Sequence, residues 1–145
     1  MENIEIKTIF HNSPEYKAEV ALRSSILRQP LGLSFSADQL SAEVDSHHIG
    51  CYIDGTLVGC LVLKPIDVKQ IQMRQVVVDE KVKGRGIGRM MVKYSEELAR
   101  KLGFREMILH ARETAVPFYE RLGYARVGNR FTEVTIEHWV MVRAL

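Results

Sequence analysis

Val76-Val77-Val78-Asp79-Glu80-Lys81-Val82-Lys83-Gly84-Arg85-Gly86-Ile87-Gly88-Arg89 is the stretch whose reading decides the fold. A β-branched run ends in a basic turn with glycine at every second position, and helix-forming residues follow. Glycines without a Cβ tolerate left-handed φ and let the backbone come close to an anion. A helix starting near Ile87 adds first-turn N–H groups that have no intrahelical partner, together with the positive end of its dipole. Lys83, Arg85 and Arg89 bring mobile or fork-shaped positive charge to the same turn. The expectation is a cradle for a polyphosphate at a strand-to-helix turn.

The glycine spacing separates the possible cradles. A dinucleotide fingerprint needs G-x-G-x-x-G, but Arg89 stands three residues after Gly86, and no clear acidic ribose partner follows about 20 residues on. A nucleoside-triphosphate loop ends in G-K-S or G-K-T, whereas Gly88 is followed by Arg89-Met90. The stretch instead resembles the acyl-coenzyme A pyrophosphate loop of the GNAT superfamily of N-acetyltransferases, which usually reads Arg or Gln, two residues, Gly, one residue, Gly or Ala. Lys83 stands at the Arg/Gln position, a departure that keeps the charge. Ala115-Val116-Pro117-Phe118-Tyr119-Glu120-Arg121-Leu122-Gly123-Tyr124 resembles a second element of that superfamily, A-x-x-F-Y-x-x-x-G-F/Y. Singly, the glycines read as a surface turn, Tyr119 as a core aromatic and Gly123 as a helix C-cap. Their joint order, spanning Gln75 to Tyr124, carries the resemblance.

That resemblance implies a GNAT acyl-CoA N-acyltransferase fold, an α/β (α+β) class with a mostly antiparallel mixed sheet splayed between strands 4 and 5 and about four helices. It implies acetyl-CoA as co-substrate, without a metal, and transfer to a primary amine of a small molecule or peptide. By the same carry-over, Lys83, Gly84, Arg85, Gly86, Ile87, Gly88 and Arg89 hold the pyrophosphate. Val76, Val77 and Val78 offer amides to the pantetheine arm, with Phe118 beside the cofactor. Tyr119 protonates the departing thiolate. The superfamily often has Asn at the position of Arg112; here Arg112 reads equally as a phosphate ligand, an acidic-substrate ligand or a strand cap.

The base that deprotonates the amine is less defined. His110, Glu133, His138, His47 and His48 are candidates, and each also reads as a structural or surface residue. The run Glu133-Val134-Thr135-Ile136-Glu137-His138-Trp139-Val140-Met141 resembles the ending of the ElaA-like group, and Ile26-Leu27-Arg28-Gln29-Pro30 resembles its first helix end. This favours His138 as a catalytic residue and Arg28 and Glu133 on the substrate side. A non-catalytic acyl-CoA sensor and a binder of another phosphate ligand are the alternatives.

Length and composition agree. The 145 residues suit one domain, 1–145, and 46% hydrophobic with 26% charged residues is ordinary for a globular chain. A net charge of +2, with 20 basic against 18 acidic residues, gives no argument for nucleic acid. The amino terminus lacks an apolar run of signal length and the chain lacks a membrane-length apolar run, so a cytoplasmic protein without membrane contact is expected. Dimers are frequent in the superfamily, so a homodimer is a further expectation.

Along the chain the expected elements are a strand over Ile4 to Phe10, a helix from Pro14 to about Leu27 capped by Ser13, and a short helix near Ser36. A hairpin over Ile49 to Leu63 turns at Asp54-Gly55, which sets Cys51 opposite Val58 and Cys60 opposite Ile49, two reduced thiols on one face. A strand over Gln70 to Val78 precedes a helix from Gly88 to Leu102, whose apolar positions are Met90, Met91, Tyr94, Leu98 and Leu102. A strand over Met107 to Ala111, a helix over Pro117 to Leu122, and strands over Tyr124 to Val127 and His138 to Val142 complete the β-α-α-β-β-β-α-β-α-β-β order.

Overall fold

The computed structural model describes residues 2–145. The elements follow the expected order: β1 (Ile4–Ile9), α1 (Pro14–Arg23), α2 (Ala37–Ser41), β2 (His47–Ile53), β3 (Thr56–Pro65), β4 (Gln70–Val78), α3 (Ile87–Lys101), β5 (Glu106–Arg112), α4 (Val116–Arg121), β6 (Ala125–Glu133) and β7 (Ile136–Ala144). Two compact units divide the chain, residues 2–64 with 75–95, and residues 65–74 with 96–145.

In the first unit β1 runs antiparallel to β2, Ile4 opposite Ile53 through Ile9 opposite His48, and β2 runs antiparallel to β3. In the second, β4 residues Gln70–Met73 pair in parallel with Glu106–Leu109 of β5, β5 pairs antiparallel with β7, and β7 with β6. A mostly antiparallel mixed sheet is what the resemblance implied, and the structure adds that β4 and β5 form its parallel pair. Ile49, Leu61, Leu63, Ile87 and Met91 are fully buried in the first unit, and Ile71, Met73, Met107, Leu109 and Met141 in the second. Burying each such side chain is worth about 1.5–3 kcal/mol, so these runs dominate the stability of each unit.

Three local expectations are corrected. The Asp54-Gly55 turn forms as read, with both residues at positive φ (49° and 82°), the signature of a type I′ hairpin. A register shift between Cys51 and Tyr52 then sets Cys51 opposite Gly59 and Cys60 opposite Gly50, one place off the simple count. One extra residue on β3, Val58, opens the ladder there, and its carbonyl accepts from the Asp79 amide at 2.7 Å. Since neighbouring positions alternate faces, the two free, fully buried thiols lie on opposite faces rather than one.

Helix α1 stops at Arg23 rather than Leu27. A π-turn over Ser24–Arg28 and a 3-10 turn over Gln29–Leu31 follow, closed by left-handed Gly32. Pro30 has no N–H to give and its ring crowds the carbonyl four residues back, which loosens the helix before it. Ser36 and Gln39 then start α2 with a reciprocal capping box.

Helix α3 begins at Ile87, yet its buried stripe is not the row of large apolar residues. Ile87, Met91, Val92, Ser95 and Ala99 are at most 1% exposed, whereas Met90, Tyr94 and Leu98 are half-buried and Leu102 is 47% exposed. The absent side chain of Gly59 lets the helix sit close: a Cβ there would stand 3.0 Å from the Met91 methyl and 3.2 Å from the Val77 carbonyl. Among the described residues no helix is long and apolar enough to cross a membrane.

Candidate functional site

The glycine turn of the first unit has the geometry its sequence called for. Gly84 and Gly86 have φ of +81° and +80°, and no atom lies within 4 Å of where a Cβ would be on either. The Met90 amide donates to the Gly86 carbonyl at 3.0 Å as the first bond of α3, so the amides of Ile87, Gly88 and Arg89 precede the reach of the helix's own carbonyls. The buried Ile87 side chain, 1% exposed, anchors this first turn. Asp79 caps the preceding 3-10 turn over Glu80–Val82 by accepting from the Lys81 amide. Lys83 pairs with Glu80 at 2.7 Å, Arg85 pairs with Glu2, and Arg89 is exposed. Open space, left-handed glycines, donor amides and exposed cations suit a pyrophosphate.

Ahead of the turn, β4 breaks its own pleat. Gln75 adopts φ +57°, a conformation that non-glycine residues rarely take, and the ladder to β5 ends at Met73 paired with Leu109. The Gln75 Oε1 atom is buried without a hydrogen-bond partner. Val76 and Val78 are half-buried and Val77 is buried beyond this break.

In the second unit Tyr119 lies on α4, 7% exposed, its ring edge-on to Phe118 at 5.0 Å and to Tyr124 at 5.8 Å. Burial pushes the Tyr119 phenol well above its ordinary range, so it keeps its proton at any physiological pH. Tyr124 is itself fixed: its hydroxyl donates to Glu96 at 2.9 Å, and Arg143 donates to both oxygens of the same carboxylate.

His138 lies on β7, 7% exposed, and its Nδ1 is 2.7 Å from the Ile136 carbonyl. Its Nε2 faces Glu133 Oε2 at 3.9 Å, and His110 Nδ1 approaches the same carboxylate at 3.3 Å. Arg112, the half-buried last residue of β5, stands opposite His138 in the β5–β7 register. The pairing of His110 with Glu133 was not foreseen. It depends on the register of β6 and β7, which shifts between Val127 and Phe131 around left-handed Gly128.

The remaining histidine candidates fall in the first unit. His48 is 1% exposed, with Nδ1 2.9 Å from Glu19 Oε2 and Nε2 3.1 Å from the Glu43 carbonyl. Arg23, fully buried, bridges Glu19 at 2.7 Å and Glu43 at 2.5 Å, and the Tyr16 hydroxyl donates to Glu43 at 2.7 Å. Burial alone would lower the His48 pKa, but the Glu19 carboxylate, then the Glu43 carbonyl and carboxylate, outweigh it and hold it above the usual value. With an acceptor at each ring nitrogen, the His48 site is satisfied by the imidazolium form. Glu19, Glu43 and His48 have spacing suited to an ion, but the Arg23 guanidinium already bridges both carboxylates. His47, half-buried, has its pKa lowered by burial and by the charge of His48. Arg28 stacks over Phe35 at 4.5 Å, and Arg23 lies over the same ring at 4.8 Å.

Residues 14–124 match the model of the family described as "Acetyltransferase (GNAT) family". A Mus musculus protein named "Probable N-acetyltransferase family 8 member 5" is 30% identical over 97 residues, 63% of this chain and 42% of its own length. The chain thus spans less than half the length of the curated relatives it matches. The fold is that of an acyl-CoA N-acyltransferase from Pseudomonas aeruginosa, with TM-score 0.82, 22% identity, and coverage of 98% of this chain and 100% of that one. Escherichia coli ElaA matches with TM-score 0.79 and 20% identity over 97% of this chain and 99% of its own. With the matched segment running from the start of α1 through the tyrosine element, the chain belongs to the acetyltransferase (GNAT) family.

Proposed function

We propose that residues 1–145 act as one N-acetyltransferase domain that moves the acetyl group of acetyl-CoA to a primary amine of a small molecule or peptide, directly, in a ternary complex. The observation that carries this reading is the left-handed Gly84–Gly86 turn opening α3, which fits a pyrophosphate with its free first-turn amides. Acetyl-CoA supplies an activated acetyl thioester.

Lys83, Arg85 and Arg89 with the amides after Gly86 bind the phosphates, Lys83 and Arg85 exchanging their carboxylate partners for phosphate oxygens. Val76 to Val78 receive the pantetheine, and an amide near Val77 or Val78 polarises the acetyl carbonyl. Phe118 and Arg112 line the cofactor, and Arg28 and Glu133 face the acceptor.

His138 takes a proton from the acceptor through Nε2, the nitrogen left bare when Nδ1–H donates to Ile136. The amine nitrogen bonds to the acetyl carbon and the carbon–sulfur bond breaks. Tyr119 gives its phenolic proton to sulfur, and the second proton of the attacking nitrogen restores the phenol. An ordinary thiol has a pKa of about 8.5, so the protonated phenol must act through position and concerted timing. The reading places the protein in the cytoplasm, with no nucleic acid or membrane partner, as a monomer or homodimer.

Calorimetric titration with acetyl-CoA, 3′-dephospho-CoA and ATP tests the reading, followed by a panel of amines. One-site binding of acetyl-CoA with coenzyme A release in the presence of an amine is expected. Binding without turnover on any amine would leave a sensor, and binding of ATP but not of coenzyme A would overturn the acyl-CoA reading.

A further inference from the structure

His110, Glu133 and His138 come from β5, β6 and β7 of the second unit, and the Glu133 carboxylate lies between the two imidazoles. His110 Nδ1 is 3.3 Å from Oε2 and 3.4 Å from Oε1. A carboxylate only accepts, so this nitrogen carries a hydrogen. The Ile136 carbonyl, 2.7 Å from His138 Nδ1, also only accepts, so that nitrogen carries one too, and Nε2 of the neutral ring is bare. Two acceptors, His138 Nε2 and Glu133 Oε2, therefore face each other at 3.9 Å, a separation too long for a hydrogen bond and with no hydrogen to share.

Such a gap takes a donor that reaches both sides. A protonated amine has several N–H groups and a charge that matches the carboxylate, whereas a hydroxyl has one hydrogen and satisfies one acceptor only. Phe131 walls the gap, its ring 5.2 Å from His110 and 5.8 Å from His138. The neighbouring charges are committed elsewhere: Arg130 bridges Glu113 and Glu137 at 3.1 Å each, and Thr132 donates to Glu137. Arg112 stands opposite His138 in the register.

We infer that His110 is a positioning residue which holds the Glu133 carboxylate across from His138, so that the pair selects an acceptor amine in its ammonium form, a cationic aliphatic amine rather than a hydroxyl or an arylamine. This rests on the acetyl-transfer reading. In the selecting step an N–H bond of the ammonium breaks, an Nε2–H bond of His138 forms, and the electron pair stays on the amine nitrogen for the attack.

Two readouts on the full chain test it. In nitrogen-15 imidazole spectra above the titration of both rings, His110 and His138 are each expected as the Nδ1–H tautomer; a His110 ring bare at Nδ1 overturns the inference without reference to turnover. In steady-state kinetics with a primary alkylamine, His110→Ala is expected to raise KM about tenfold or more, the loss of one charge-assisted hydrogen bond, with acetyl-CoA binding unchanged. His110→Asn, which keeps a donor near Nδ1, stays within about threefold of the parent, and His110→Ala adds nothing further on a Glu133→Ala background. An unchanged KM in His110→Ala, or independent effects of the two changes, overturns the inference alone. A parent protein that turns over no amine overturns the acetyl-transfer reading instead.

Discussion

His48 in the first unit and His138 in the second each stand beside a glutamate, and both are nearly buried, yet they are held for opposite ends. Both His48 nitrogens face acceptors, Glu19 and the Glu43 carbonyl, so only the imidazolium satisfies the site. Glu19 and Glu43 against Arg23 and His48 then sum to zero charge in a buried network that leaves Glu19 Oε1 and Arg23 Nε without a hydrogen bond. His138 spends one nitrogen on the Ile136 carbonyl and keeps the other at 3.9 Å from a carboxylate that is 41% exposed. On the proposed reading, what the second nitrogen meets, rather than the presence of a nearby glutamate, separates the core cation His48 from the base His138.

Breaking the buried network has the largest expected consequence. Arg23→Ala leaves the buried Glu19 and the partly buried Glu43 carboxylates without the guanidinium that bridges them and is expected to cost about 3–5 kcal/mol, read in a denaturant melt. Tyr119→Phe leaves the fold intact and is expected to lower kcat by about a hundredfold or more, the span of a lost general acid, while calorimetry finds acetyl-CoA affinity unchanged. Gly86→Ala is strained at φ +80° by about 1–2 kcal/mol even though open space surrounds the added methyl, so cofactor affinity falls through backbone shape and not through a clash. Glu80→Gln, which removes the exposed partner of Lys83, is expected to shift stability by no more than about 0.5 kcal/mol.

The same contrast appears in pH. The folded-state pKa of His48 is raised, so its contribution to stability is complete below the unfolded-state value of about 6.5 and is lost as pH rises through the higher folded value. Glu43 has a lowered folded pKa, after the Arg23 hydrogen bond and charge overcome its desolvation. Its contribution is therefore present above the ordinary glutamate range and is lost as pH falls through the folded value. Melts across pH 5 to 9 should show the alkaline loss in the parent and not in His48→Gln.

Much of this was legible in the chain where local chemistry decides. Strand β4 spans Gln70–Val78 as read, Ser13 caps α1 as read, a short helix starts after Ser36, and the Gly84–Gly86 turn opens α3. What escaped depends on partners far along the chain. The added Val58 that moves both cysteines is a property of the β2–β3 ladder. Glu19 and Arg23, four residues apart on α1, drew no notice in the sequence because their partners Glu43 and His48 lie 20 or more residues along the chain. The stripe of α3 was misplaced because the small Ser95 and Ala99 are fully buried on it while the larger Met90, Tyr94, Leu98 and Leu102 are more exposed. At the candidate site, His138, Glu133 and His110 were each nameable, but their grouping required the β5–β7–β6 register.

The most direct measurement is the melting temperature and kcat/KM of His48→Gln and His138→Gln, made side by side on one amine substrate. His48→Gln is expected to lower the melting temperature by about 3–10 °C while kcat/KM per folded molecule stays within about threefold of the parent. His138→Gln is expected to do the reverse, keeping the melt and losing about a hundredfold or more in kcat/KM. Equal turnover in His138→Gln and the parent would contradict the account.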